Sequence, residues 1–276
     1  MEDLSLDHQA SLSKKWQQLC HTHNLQFAEY SFANNYLFRN LHSYKYVPHL
    51  LAVQGTFPDH TTFLIPTTMP QANRLQIPSQ TLFPIPDTWL KLFEQDTFLI
   101  TSDRADTDYV YSQNKLANLP GRHLSSRRNL LHQLEDHYQL ESHPLSSDRL
   151  ADATTVLEKW NEHAREHSDY LCCLEALSLM DRLNLFGRIS YADHIPIGFT
   201  IGEQLTPSTT LLLLAKSLTD FKGSTPYIYE DFAQHVSDST QWINLGQDLG
   251  LPTLRQAKLA YEPDLLLTKS RISLKI

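Results

Sequence analysis

The stretch from Phe186 to Ala215, FGRISYADHIPIGFTIGEQLTPSTTLLLLA, decides the fold. Its β-branched, aromatic and leucine residues cluster in three runs, Phe186 to Tyr191, Ile195 to Gln204 and Thr209 to Ala215, which predict three consecutive strands. Working outward, the upstream periodicity is helical. A helix is predicted from Asp148 to His167, with Leu150, Val156, Leu157, Trp160 and Ala164 near one face, and another from Cys172 to Leu185. Before them Tyr138 to Leu145 reads as a strand. Downstream, a helix is predicted from Pro226 to Val236, a strand from Gln241 to Leu245, a helix from Pro252 to Tyr261 and a final strand pair within Asp264 to Ile276. The order is βααβββαβαββ.

That order is similar to the Gcn5-related acetyltransferase fold, in which a helix crosses between the fourth and fifth strands. The first half shows a looser succession. Helical spacing over residues 7–24 and from Asn34 to Leu41 precedes short strands at His49 to Gln54, Thr61 to Pro66, Thr97 to Thr101 and Asp108 to Tyr111. Pro66 to Pro86 reads as irregular, Pro86 to Glu94 as a helix and Ser125 to His137 as another. The expectation is an α/β protein with two tandem acetyltransferase-like (GNAT) domains, 1–140 and 141–276, as in the Fem-type peptidyltransferases. At 276 residues either half is long enough to bury its own core.

Bulk chemistry narrows the function classes. A net charge of −8 disfavours whole-surface binding of polyanions, so nucleic acid or phospholipid must meet a local patch. No apolar run approaches the roughly 20 residues of a spanning helix. The start, MEDLSLDHQA, is acidic and polar where a secretory leader would be basic and then apolar, so the expectation is a cytoplasmic protein. Cys20, Cys172 and Cys173 have no disulfide-framework spacing and read as reduced thiols. The sequence contains no G-x-S-x-G, H-E-x-x-H, Walker or dinucleotide glycine motif. His163 and His167 stand four apart on the predicted helix, but with no third ligand in view they read as a solvated face, and no metal is expected.

Two segments suit anions. In Lys222-Gly223-Ser224-Thr225-Pro226 a strand and linker feed a helix; Gly223 allows close backbone approach, the helix start offers N–H groups, and Lys222 adds charge. A donor phosphate would suit Lys222, Gly223 and Ser224; the bland alternative is an ordinary capped helix. In the run Gly121 to Asn129, Arg122, Arg127 and Arg128 concentrate guanidinium forks that match phosphate, unless they pair with Asp106, Asp108 or Glu135.

Spaced motifs resemble one family, the lysyl-phosphatidylglycerol synthase C-terminal family. Phe32-x-x-x-Tyr36-x-Phe38-Arg39 is similar to its F-x-x-x-Y-x-W-R, and Asp108-Tyr109-Val110-Tyr111, Gly121 and Arg127-Arg128-Asn129 to its D-Y-V-Y, G and K-R-N. Trp160 and Glu175 fall where the family has a tryptophan and a glutamate. Ile243-Asn244, Asp248-Leu249-Gly250, Leu254-Arg255-x-Ala257-Lys258 and Tyr261-x-Pro263 resemble I-N-x-x-x-D-L-G followed by L-R-x-A-K-x-x-Y-x-P. Ala215 stands before Lys216 where an E-K pair is expected, and Gly246 replaces a further carboxylate.

The resemblance implies transfer of an aminoacyl group from charged tRNA, or an acyl group from acyl-coenzyme A, to an amine or hydroxyl such as a phospholipid headgroup. No permanently bound cofactor is expected, and anionic lipid would be met peripherally. Glu175 and Asp248 are the expected acids for general-base work, with Asn244 beside them. Lys216, Lys222, Gly223 and Ser224 are expected to hold the donor, and Arg127, Arg128, Asn129, Arg255, Lys258 and Tyr261 to line the anionic path. The alternative is a non-catalytic module that kept the fold after losing its acids and recognises a phosphorylated ligand or a protein.

Overall fold

The computed structural model describes residues 1–70, 81–162 and 169–275. The chain divides into two compact units. The first comprises Met1–Tyr109, Gly246–Arg255 and Leu266–Ile276, and the second Val110–Leu245 and Gln256–Leu265.

In the first unit α1 (Gln9–His23) buries Leu12, Trp16, Leu19 and Cys20, one stripe at helical spacing, and stops where Asn24 adopts a left-handed φ of 51°. The short α2 (Phe32–Leu37) is capped by Ser31, whose Oγ accepts the Asn34 N–H at 2.8 Å. Strands β1 (Glu2–Asp3), β2 (Lys45–Val47), β3 (Ala52–Thr56), β4 (Thr62–Ile65), β5 (Thr81–Ile85) and β6 (Phe98–Ser102) form the sheet with the last strand of the chain. On this unit Phe57, Phe63 and Phe83 pack ring against ring at centroid distances of 4.3–5.3 Å.

The second unit continues with β7 (Asp108–Ser112), α3 (Gln113–Asn118), α4 (Ser125–His137), β8 (Leu140–Pro144), α5 (Leu150–Glu162) and α6 (Tyr170–Ser178). The three strands of the opening motif follow as β9 (Phe186–Ala192), β10 (Ile195–Thr206) and β11 (Thr209–Ser217), paired as antiparallel hairpins. Then come α7 (Ser224–Gln234), β12 (Trp242–Asn244), α8 (Pro252–Leu259), β13 (Leu265–Leu267) and β14 (Ser270–Leu274). The second sheet has the order β13-β7-β12-β11-β10-β9-β8, and β11 and β12 run parallel because α7 crosses between them. α7 approaches the sheet closely because Gly198 and Gly202 of β10 lack side chains: a Cβ would stand 2.8 Å from Ile228 Cγ2 at the first and 2.6 Å from the Phe232 ring at the second. This is the tandem acetyltransferase-like α/β architecture, two mixed sheets flanked by helices.

Several expectations need correction. Residues 81–85 lie inside the interval read as irregular, yet they form β5; Pro84 is tolerated because the β5–β14 pairing breaks register between Ser270 and Ile272. The segment after Pro86 is a 3-10 turn over Asp87–Leu92. The two last strands do not pair with each other: β13 edges the second sheet, whereas β14 inserts between β5 and β6 of the first. The division expected at residue 140 falls inside the second unit, because β7 pairs with β12 and so places α3 and α4 with the later strands. Cys20, Cys172 and Cys173 are buried free thiols. Among the described residues no helix is long and apolar enough to cross a membrane.

Candidate functional site

The parallel pair in the second sheet is short. β11 and β12 bond only over Thr209 to Leu211 opposite Trp242 to Asn244, while β11 runs on to Ser217 with β10 as its other neighbour. β12 stops at Asn244, so beyond Leu211 that edge of β11 has no strand partner among the described residues.

Lys216 stands on this part of β11 and is 7% exposed. Its ammonium binds both oxygens of Asp169 at 2.8 and 2.9 Å and lies 4.0 Å from the centre of the Trp160 ring. The charge expected to hold a donor is therefore engaged by a carboxylate of the same unit. Asp169 carries no motif in the sequence, and only its placement before α6 reveals it.

The Lys222 to Pro226 linker is packed differently from expectation. Gly223 makes a close backbone approach, but to α4: a Cβ there would lie 2.3 Å from the Leu130 carbonyl oxygen. Its φ of +103° suits glycine. Ser224 is buried and its hydroxyl donates to the Leu218 carbonyl at 2.8 Å. Gly223 and Ser224 thus serve the packing of α7 on α4, and Lys222 alone of the three is exposed.

The arginine run resolves into distinct roles. Arg128 Nη1 donates to the carbonyls of Leu119 and Gly121, which ties down the chain that leaves α3. Arg127, in the first turn of α4, lies with its guanidinium carbon 5.3 Å from the centre of the Tyr261 ring, and Tyr261 packs against Tyr229 at 5.4 Å. The Arg127 Nε is buried without a hydrogen-bond partner among the described residues. Burial pushes the Tyr229 phenol up to about 12 and raises Tyr261 further, so both rings are neutral. Asn129 is exposed on the same helix.

Asn244 ends β12 and is fully buried. Lys258, the buried residue of α8, donates to the Leu245 carbonyl at 2.6 Å, while its own carbonyl accepts the Tyr111 hydroxyl at 2.7 Å and the Tyr261 N–H at 3.1 Å. The second unit therefore brings Asn244, Lys258 and Tyr261 to the end of β12, with Arg127 above the Tyr261 ring.

Asp248 and Arg255 belong to the first unit. Asp248 accepts from Arg255 Nε at 2.7 Å, Arg255 Nη2 at 3.1 Å, the Tyr109 hydroxyl at 2.6 Å and the Gly250 N–H at 2.9 Å. Arg104 joins the network through the Tyr109 hydroxyl at 2.8 Å. Although burial opposes ionisation, the Arg255 and Tyr109 bonds hold the carboxyl down at about 2. So weak a base is poorly suited to removing a proton near neutral pH, the work expected of Asp248. Glu175 is half-buried on α6. His163 and His167 lie outside the described residues, and among the described residues no group of three ligating side chains could hold a metal.

Two surface hollows, one of about 390 Å³ beside His23 and Trp89 and one of about 290 Å³ between His143, Tyr191 and His194, are lined by none of the expected site residues.

The family model for phosphatidylglycerol lysyltransferase, C-terminal, matches residues 79–272. The chain belongs to that family. The phosphatidylglycerol lysyltransferase C-terminal match spans the motif residues from Asp108 to Pro263, and no curated protein matches the chain. A conserved protein of unknown function from Bacteroides thetaiotaomicron VPI-5482 has a TM-score of 0.81 at 20% identity, covering 99% of each chain. The C-terminal domain of a protein assigned as a lysylphosphatidylglycerol synthetase from Agrobacterium fabrum gives 0.62 at 12% identity, over 97% of this chain and 93% of that one. L-PGS from Bacillus licheniformis gives 0.51 at 10% identity, over 86% and 89%. Family membership and fold together fit an acyltransferase-like protein.

Proposed function

We propose that this chain transfers an aminoacyl or acyl group to an amine or hydroxyl acceptor, with an anionic part of one substrate bound beside Arg127 in the second unit. Membership of the phosphatidylglycerol lysyltransferase C-terminal family supports charged tRNA as donor and a phospholipid headgroup, met at the bilayer surface, as acceptor; acyl-coenzyme A is the second donor. One observation carries the reading: Arg127 presents a desolvated Nε with no protein partner among the described residues, above Tyr261, which packs against Tyr229. A buried donor left unmatched by protein is costly, and a phosphate or carboxylate oxygen would satisfy it with a charge-assisted bond. Past Leu211 the edge of β11 that faces β12 has no strand partner among the described residues, and an extended donor could bond along it. Rate would come chiefly from positioning and electrostatic stabilisation.

A non-catalytic reading is favoured by one feature, the engagement of Asp248 by Arg255 and Tyr109 in a chain that has Ala215 and Gly246 in place of two further acids.

The test is to titrate wild type and Arg127→Ala with lysyl-tRNA, acyl-coenzyme A and phosphatidylglycerol vesicles at two salt concentrations, and to assay transfer. One ligand should bind wild type and lose about 10–100-fold in the variant, the equivalent of a charge-assisted bond worth about 1.5–3 kcal/mol, at unchanged melting temperature. Equal affinities in both proteins would remove the anion site. Undiminished binding with no transfer to any acceptor would favour the non-catalytic module.

A further inference from the structure

Within the first unit Glu29, Asp108 and Lys269 form a cluster of charged side chains shut away from water. Lys269 Nζ stands 2.8 Å from Glu29 Oε1 and 2.6 Å from Asp108 Oδ1. Asp108 Oδ2 also accepts the Ala28 N–H at 2.9 Å. Two carboxylates thus face one ammonium, and full ionisation leaves an uncompensated negative charge in a dry interior. Of the two acids Glu29 is held less completely. Its Oε2 lies 2.7 Å from Lys269 Nζ but makes no well-directed hydrogen bond among the described residues. Burial pushes its carboxyl up to about 7, with Lys269 opposing and Asp108 adding to the rise.

Glu29 also reaches the loop that follows β12. Gln247 Nε2 donates to Glu29 Oε1, the same oxygen that Lys269 holds. The loop turns through left-handed backbone at Gly246, Leu249 and Gly250, with φ of 67°, 55° and 73°. Among its further ties in this unit are the Tyr109 N–H to the Gly246 carbonyl, at 3.1 Å, and the bonds of Asp248.

We propose that Glu29 is a proton-controlled latch on the loop from Gly246 to Gly250. Ionised, it holds Gln247 through a charge-assisted hydrogen bond; protonated, it relieves the buried charge and keeps only a neutral bond, so the loop is looser. Several charged and titratable groups face it. Lys269 rises above its ordinary value, held by Asp108 and Glu29 against burial. The phenols of Tyr30 and Tyr44, which feel the Glu29 charge, and the Cys20 thiol beside Tyr30 are driven up by burial and stay neutral. Asn35 Nδ2 donates to the backbone carbonyl of Glu29 at 2.7 Å and carries no charge. Asp106, close to Tyr44, is raised by burial against its pairing with Arg271 at 2.7 Å. Asp248 within the loop titrates far lower. The latch does not depend on the transferase reading.

The test is amide hydrogen exchange of the intact protein from pH 5.5 to 8.5, corrected for the intrinsic rate and read over residues 246–250. Protection should rise several-fold through pH 7 in wild type and stay level in Glu29→Gln, which keeps an acceptor oxygen without the titration. Gln247→Ala leaves Glu29 buried and cuts the link, so it too should give a level profile, and it keeps the idea testable if Glu29→Gln folds poorly. A level profile in wild type, or the same rise in Gln247→Ala, overturns the latch.

Discussion

Lys216 holds its ammonium 4.0 Å from the centre of the Trp160 ring while both oxygens of Asp169 accept from it. The contact fastens the carboxyl end of β11 to α5 and to the residue preceding α6, on one side chain that is nearly buried. Replacement of Asp169 by Asn should therefore cost about 1.5–3 kcal/mol, the usual worth of a hydrogen bond to a charged group. Urea unfolding of the variant measures it, and an unchanged midpoint would show that Lys216 is satisfied elsewhere.

Arg127 and Arg128, adjacent in sequence, should separate in their effects. Arg128→Ala removes the donor to the Leu119 and Gly121 carbonyls and should lower stability by about 1–3 kcal/mol without changing ligand affinity. Thermal unfolding and ligand titration on the same samples would show whether the roles divide in this way or are reversed.

Gly223→Ala should destabilise by more than about 1 kcal/mol, because the new methyl meets the Leu130 carbonyl and the backbone holds a φ of +103°. Were the glycine there only to admit a ligand, the melting temperature would not move.

The Asp248 carboxyl, lowered to about 2 from 3.8, stabilises the native state above its unfolded value, and that contribution is lost as pH falls through about 2. Stability followed from pH 5 to 2 should drop in wild type more than in Asp248→Asn. The variant should itself be weaker at pH 7, since Arg255 and Tyr109 lose a charged partner. Parallel pH profiles would deny the linkage.

For the fold as a whole Glu29 acts with the opposite sign, because the burial of its charge outweighs the local bond its ionised form makes to Gln247. Its folded-state value lies near 7, above the ordinary 4.5, so its contribution is fully present below about 4.5 and disappears as pH rises through 7. Glu29→Gln should therefore gain on wild type as pH climbs from 4.5 to 7. Denaturant midpoints at four pH values check this, and a constant difference would place the titrating group elsewhere.

Much of the second unit was legible from local pattern. The three strands between Phe186 and Ala215 are consecutive, their pairing needs only short turns, and the helix crossing from β11 to β12 is amphipathic in its own sequence. Family motifs likewise stand in the chain as short runs. Less could be read where pairing is remote: β5 carries a proline, and β14 resembles a partner for β13 until the chain places it between β5 and β6, residues that lie far earlier.

The sequence by itself determined the element order from β8 to β14, which follows from periodicity, and it carried the short motifs that resemble the family and named the candidate residues. Tertiary structure alone decided their roles. Arg127 and Arg128 are chemically the same, yet one meets two carbonyls and the other keeps a buried nitrogen unmatched. Asp248 and Glu29 are both carboxylates, yet one gathers guanidinium and phenol donors and is lowered, whereas the other shares a single ammonium with Asp108 and is raised. Charge, burial and hydrogen-bond geometry are set by neighbours distant in sequence, and a carboxylate or guanidinium has no fixed chemistry until those neighbours are in place.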